Sequence, residues 1–347
     1  MRSGFELLEL LVAVMLTLVT LAILASALPP VLDVIHAVPE ATDLRQRARA
    51  TEQVMSGVIA SAGAGPSLLG MGPLSLAIPA IWPRRLLTSP DPPGTAWADR
   101  VTVLRVDLLA AQAPLAASVP YGAHVLALAW HAACGVHPSC GFRRGDLVVA
   151  YDSRGALALA RADEVSGMTV MLDGPVDQAI ALPAALAVVS ATALTFDATR
   201  RQVRRTDGGA PSQPVTDEVV GMQVRYYGNA APPRWPAVPG IETCAVTAAG
   251  TLKLGWLGPV PGPPIELTVA DLGDGPWCGA GTWRFDADLL RVRAVRIALR
   301  LQALSPASRG LSPLWFAMPG QARRPGQEVR DVELDLFAPA PNLEWSQ

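Results

Sequence analysis

Four side chains able to bind a metal or react with one another share one short run. His131, Cys134, His137 and Cys140 form H-x2-C-x2-H-x2-C. Imidazole and thiolate are ligands that zinc prefers, but the spacing is not that of a standard finger. The simpler reading is a Cys134 to Cys140 disulfide that closes a tight loop around Pro138. The remaining cysteines, Cys244 and Cys278, bracket a stretch dense in Pro, Gly and Trp that includes Trp256, Pro259, Pro261 and Trp277. On a loop-entropy model a bridge across it would restrict the unfolded chain by about 3 to 4 kcal/mol and pin a long insertion. An even cysteine count beyond an apolar N-terminal segment points to an oxidising compartment.

Asp271, Asp274, Asp286 and Asp288 raise the question of calcium, but they match an EF-hand loop poorly and read as solvated turn carboxylates. No metal or cofactor is expected. The sequence has no G-x-S-x-G, phosphate-binding Walker loop or H-E-x-x-H, and its four His leave little for general-base work, so an enzyme is not expected. A formal net charge of -2 and a pI near 6.1 give no field that would draw in nucleic acid.

The elements that position these residues follow from composition and periodicity. Half of the chain is hydrophobic and only 17% charged, with 32 Pro and 30 Gly, which suits short strands joined by many turns. Leu10 to Leu28 carry no charge, with Thr17, Thr20 and Ser26 as the polar side chains. As a helix this run is about 28 Å long and matches the hydrocarbon of a bilayer. Ala25-Ser26-Ala27 also has the form of a signal-peptidase site, with Arg2 as a basic flank. The apolar run is longer than a signal peptide uses, and Glu6 and Glu9 stand where positive charge is wanted.

Pro29-Pro30 should break or kink this helix. Leu44, Ala48, Thr51, Met55 and Val58 then form one stripe, with Arg45, Arg49 and Glu52 off it. The spacing predicts an amphipathic helix that ends near Gly63-Ala64-Gly65-Pro66 and packs on its own head. Residues 67 to 98, rich in Pro with Pro92-Pro93-Gly94, read as a loop or short irregular pieces. Strands are expected over 101–107, 124–130, 147–151, 156–162, 169–172, 192–196, 202–205, 219–227, 252–256, 292–301 and 329–337. Turns at Asp152-Ser153-Arg154-Gly155 and Asp197-Ala198-Thr199-Arg200 would make hairpins.

The N-terminal segment Gly4-Phe5-Glu6-Leu7-Leu8-Glu9-Leu10-Leu11-Val12-Ala13 resembles the type IV prepilin N-terminus. The resemblance implies that a prepilin peptidase cuts after Gly4 and methylates Phe5. That gives a leader over 1–4, a transmembrane and stalk helix over 5–62, and an extracytoplasmic head over 63–347. The leader is short, and Ser3 sits where a basic residue is common. The implied fold is α+β and pilin-like, a long N-terminal helix leaning on a β-rich antiparallel head.

Elementary electrostatics gives Glu9 a matching part. An ionised carboxylate at the edge of an apolar helix costs a few kcal/mol if it enters lipid unpaired. Cleavage would create a cation, the Phe5 amine, which a neighbouring subunit could offer when helices stack with an axial stagger. Glu9 could instead pair with its own Phe5 amine or stay hydrated at headgroup level.

Three strand patterns, Arg144-Gly145-Asp146-Leu147-Val148-Val149, Val219 to Gly228 and Val292 to Leu301, are similar to those of PilW-type minor pilins and J-type minor pseudopilins. The implied function is that of a minor pilin or pseudopilin, a structural subunit for assembling or capping a type IV pilus or a type II secretion pseudopilus. The implied partners are prepilin peptidase, other pilin or pseudopilin subunits and the bacterial inner membrane, with the head in the periplasm and no nucleic acid. The 244–278 insertion is then either a contact for other subunits or an exported substrate, or a stapled structural loop. The alternative from another class is a periplasmic binding or catalytic domain behind an ordinary signal peptide or anchor.

Overall fold

A computed structural model of the chain describes residues 3–66, 78–87, 89–134, 137–152, 156–229, 264–274, 277–278 and 281–343. Helix α1 runs without interruption over Ser3–Ala60. Of the break or kink expected at Pro29-Pro30, the break is corrected: the helix continues through the pair. Each proline removes one ladder bond, to the carbonyls of Ala25 and Ser26, yet its fixed φ is compatible with a helix. The flanking turns keep their bonds, so the pair weakens the helix without ending it. At the far end Gly63 takes φ +76°, and a Cβ there would collide with the Leu343 side chain. A glycine allows both the left-handed turn and the close approach.

The rest of the described chain forms short strands and 3-10 turns. In order they are β1 (Ile81–Trp82), β2 (Arg100–Arg105), β3 (Gln112–Pro114), β4 (Val125–Ala127), β5 (Leu147–Asp152) and β6 (Leu157–Ser166). Then come β7 (Thr169–Leu172), β8 (Ala184–Val188), β9 (Ser190–Asp197), β10 (Gln202–Asp207), β11 (Gln213–Thr216) and β12 (Val219–Gly228). Last are β13 (Ile265–Leu267), β14 (Trp277–Cys278), β15 (Phe285–Asp286), β16 (Val292–Leu301) and β17 (Val332–Pro339). The strand expected over 252–256 lies outside the described residues, and the one expected from 329 begins at Val332.

The chain divides into two compact units, Met1–Ala50 with Arg300–Glu333, and Thr51–Leu299 with Leu334–Gln347. In the first, the helix beyond its apolar half is tied to the 300–333 segment by polar contacts. Glu40 accepts from the Ser305 amide at 3.0 Å, and Arg47 donates to Asp43 at 2.7 Å and to the Gln302 carbonyl at 3.3 Å. Leu44 and Ala48 are buried. Arg300 braces the segment by pairing with Asp331 at 2.8 Å.

The second unit holds three main sheets. Five antiparallel strands are ordered β1-β2-β9-β10-β11. The alternation of a pleated strand puts Val101, Val103, Leu194 and Val203 on one buried face. Arg105 shares that face and reaches Ser61 at the end of the helix. The helix end is further fixed by the Gly63 amide on the Leu104 carbonyl at 2.9 Å. Thr51, Met55, Val58 and Ile59 are buried here, while Arg49 and Glu52 are exposed, so the amphipathic stripe lies where the spacing puts it.

The second sheet is ordered β3-β8-β5-β6-β7-β4. Its two outer strands meet through a Leu115–Leu128 bridge, with the Ala129 amide on the Pro114 carbonyl and the Ala116 amide on the Ala127 carbonyl, both at 2.8 Å. The sheet thereby closes into a small barrel with no free edge. Its interior is filled by Ala113, Ala150, Ala158, Ala160, Leu126 and Leu186 among others. Strand β5 is buried on both faces: Val148 and Ala150 point into the barrel, and Val149 and Tyr151 point away from it. The third sheet is ordered β13-β12-β16-β17. The Tyr226 hydroxyl on β12 donates to the Arg100 carbonyl of β2 at 2.9 Å, linking two of the sheets. The described molecule is thus α+β, an N-terminal apolar helix followed by antiparallel sheets.

Candidate functional site

The first half of α1 carries the residues of greatest functional interest. Leu7–Ala27 is 21 residues long with mean hydropathy 2.7, and none of it is buried by the rest of the described residues. It is long and apolar enough to cross a membrane, at about 31 Å for the usual helical rise. Its hydroxyl side chains satisfy themselves within the helix. Thr17 donates to the Ala13 carbonyl at 2.7 Å, Thr20 to that of Leu16 at 3.0 Å, and Ser26 to that of Ile23 at 2.8 Å. Hydroxyls bonded in this way can enter a solvent that offers no partners.

Glu9 is the acid of this stretch, exposed near its N-terminal edge with Leu7, Leu8, Leu10 and Leu11 exposed around it. Gly4 and Phe5 lie one turn earlier on the same helix, and the side chain of Phe5 falls outside the described residues. A carboxylate in a ring of leucines has two comfortable situations, water at the membrane edge or a cation brought to it.

Cys134 and Cys140 form a disulfide, with their Cα atoms 4.1 Å apart. Neither thiolate is then available to a metal, and His131 and His137 are exposed beside the loop. Both cysteines are buried in the barrel core, so the bridge anchors the loop to the barrel. Cys278 is also disulfide-bonded, whereas Cys244 lies outside the described residues. Trp277 stacks on Arg284 at 4.5 Å and fills the space against Gly94, which is local packing; Trp256 lies outside the described residues.

The expectation of solvated turn carboxylates fails at Asp286 and Asp288, which are buried. With Asp274 their oxygens lie within 4.8 Å of one another. Asp286 caps a 3-10 turn by accepting from the Asp288 amide at 2.9 Å, and Asp288 pairs with Arg291 at 2.9 Å. Burial pushes the Asp288 carboxyl up to about 6, offset in part by Arg291. Asp271 serves a turn: the Thr268 hydroxyl and amide both donate to it and hold its carboxyl below the usual range. Asp271, Asp286 and Asp288 thus have structural partners of their own.

Compared with family models, with curated proteins and with solved structures, the chain returns no match. A reading of function therefore rests on the chain itself.

Proposed function

We propose that the protein is a minor pilin or pseudopilin, a structural subunit that assembles or caps a fibre of the type IV pilus or type II secretion kind. One observation carries this reading. An unbroken helix leaves a 21-residue, mostly apolar stretch bare at one end, with Glu9 in its first turn and Glu6 just before it, and ends buried among strands at the other. A segment bare on every side needs lipid in one state or neighbouring helices in another, and the prepilin-like run Gly4-Phe5 to Glu9 fits a helix that passes between the two.

In this reading the precursor sits in the inner membrane by Leu7–Ala27, with its head in the periplasm. Prepilin peptidase cuts after Gly4, and the freed Phe5 amine of one subunit meets Glu9 of the next. A desolvated carboxylate and ammonium attract strongly in lipid or in a packed helix bundle, and one such pair per subunit fixes axial register. The barrel and third sheet make the head bulky, which favours a terminal or initiating place over the shaft.

Glu9→Ala tests the mechanism. The variant is expected to insert in the membrane as the parent does and to be lost from sheared fibres. Equal incorporation of the two proteins would overturn the role given to Glu9. Cleavage after Ala27 instead of Gly4 would favour a released periplasmic domain.

A further inference from the structure

The five-stranded sheet has a second face, opposite the one that receives the helix. The register places Arg100 on β2, Thr195 on β9 and Arg204 on β10 side by side in one row. Neighbouring strands are about 4.8 Å apart, so the two arginines flank the threonine across about 10 Å. The next row, Thr102, Ala193 and Thr206, is roofed by Arg85, Leu86 and Leu87. Beyond that roof a cleft of about 390 Å³ opens, lined by Arg85, Ser89, Arg100, Thr195, Arg204 and Ser212.

The charges there do not cancel. Asp91, with a side chain only 5% exposed, accepts from Arg85 at 2.8 Å and from Arg100 at 2.9 Å. Asp99 takes the other edge of Arg100 at 2.7 Å, and Asp197 on the rim pairs with Arg200 at 2.8 Å. Among the described residues Arg204 meets only neutral groups: the Ser212 hydroxyl at 3.1 Å, the Ser212 carbonyl at 2.6 Å and the Gln202 amide oxygen at 2.5 Å. Among the described residues Arg85, Arg100 and Arg200 thus each meet a carboxylate directly, whereas Arg204 meets none; Asp217 reaches it only through Gln202, whose amide donates to Asp217 at 2.6 Å. Shared carboxylates also hold Arg85 and Arg100 in place, so little side-chain freedom would be lost on meeting an anion.

The cleft is within the range of about 300 to 1,000 Å³ usual for sites of organic molecules. Hydroxyls of Ser89, Thr195, Thr206 and Ser212 line it together with Phe196 and Ala198. A guanidinium suits an oxyanion, and rows of hydroxyls suit a polyol. We propose that the cleft binds a hydroxylated organic anion, a sugar acid or sugar phosphate, with Arg204 holding its charged group. This does not depend on the fibre reading.

Titration calorimetry on the full chain in detergent micelles tests it, with D-glucuronate, D-glucose 6-phosphate, inorganic phosphate and uncharged D-glucose as probes. One-site binding of at least one of the two organic anions is expected, with none of D-glucose. Arg204→Gln should weaken that binding by about tenfold or more, the worth of one charge-assisted hydrogen bond. Thr195→Val, which removes one hydroxyl from the middle of the row, is a second variant and should weaken it less. Thermal melts establish that both variants are folded. The proposal is overturned if neither organic anion binds, if D-glucose binds equally, if inorganic phosphate alone binds, or if both folded variants bind like the parent.

Discussion

The two halves of α1 are both helical, and they differ in what covers their apolar residues. Leu7–Ala27 has no cover among the described residues, whereas Leu44, Ala48, Thr51, Met55 and Val58 are buried down one side, with Arg45, Arg49 and Glu52 exposed on the other. Apolar residues all round imply a solvent or partners on every side, while a single stripe implies one packing surface. One continuous helix therefore satisfies its first half outside the molecule and its second half inside. Under the proposed function, that division assigns assembly to the first half and stability to the second.

Truncating the same kind of side chain in each half should expose the division most strongly. Met55→Ala is expected to cost about 2 to 5 kcal/mol of stability by denaturant titration, the range for emptying a packed site. Leu16→Ala should leave the denaturation curve of the head unchanged. Similar losses in the two variants would break the comparison.

The converse change puts a charge in the bare half. Leu16→Arg should disfavour insertion by about 3 kcal/mol and lower the alkali-resistant membrane fraction. The head should melt as before. Undiminished membrane retention would mean that another part of the chain does the anchoring.

Much of this contrast was legible from residue order alone. The charge-free run from Leu10 and the stripe from Leu44 are periodic signals of a kind that tertiary context rarely overrides. Strands rich in Val, Leu and Tyr, such as β5, β12 and β16, could be read in the same way. By contrast β8 (Ala184–Val188) and β3 (Gln112–Pro114) escaped, because Ala, Gln and Pro carry no strand preference. The barrel makes them strands: its narrow interior admits small side chains, and ring closure pairs edges that local sequence leaves open. The continuity of α1 through Pro29-Pro30 escaped because a local rule about one missing donor says nothing of the turns on either side.

The acids and arginines divide similarly. Asp286 and Asp288 look like solvent residues in a Gly-rich stretch, and the fold buries them on a short 3-10 turn. Arg85, Arg100 and Arg204 are scattered along the chain, and only strand register brings them together. Glu9, whose surroundings are its own helix, was the one proposed site that could be reasoned about from its immediate neighbours.

Two smaller effects sharpen the separation of head from anchor. Cys134→Ser opens a loop closed between residues six apart, which on the chain-entropy model costs about 2 kcal/mol. It should lower the melting temperature of the head and leave membrane insertion unchanged. A fall in insertion would show that the halves are coupled.

Asp288 gives the smallest effect, read as a pH dependence. In the fold its carboxyl holds a proton up to about pH 6, and unfolded it releases it near its ordinary value of 3.8. Between those values the folded state binds more protons, so through this residue stability falls as pH rises. The stability of the parent relative to Asp288→Asn should therefore be greater at pH 4.5 than at pH 7, measured by urea titration. An unchanged difference would remove burial as the cause.

The most direct test of the assembly reading is the mass of the mature protein, made in cells with and without prepilin peptidase. The account predicts a chain that begins at N-methylated Phe5 when the enzyme is present and keeps Met1 to Gly4 when it is absent. A chain that keeps those residues in both cells, or that begins at Leu28, would contradict it.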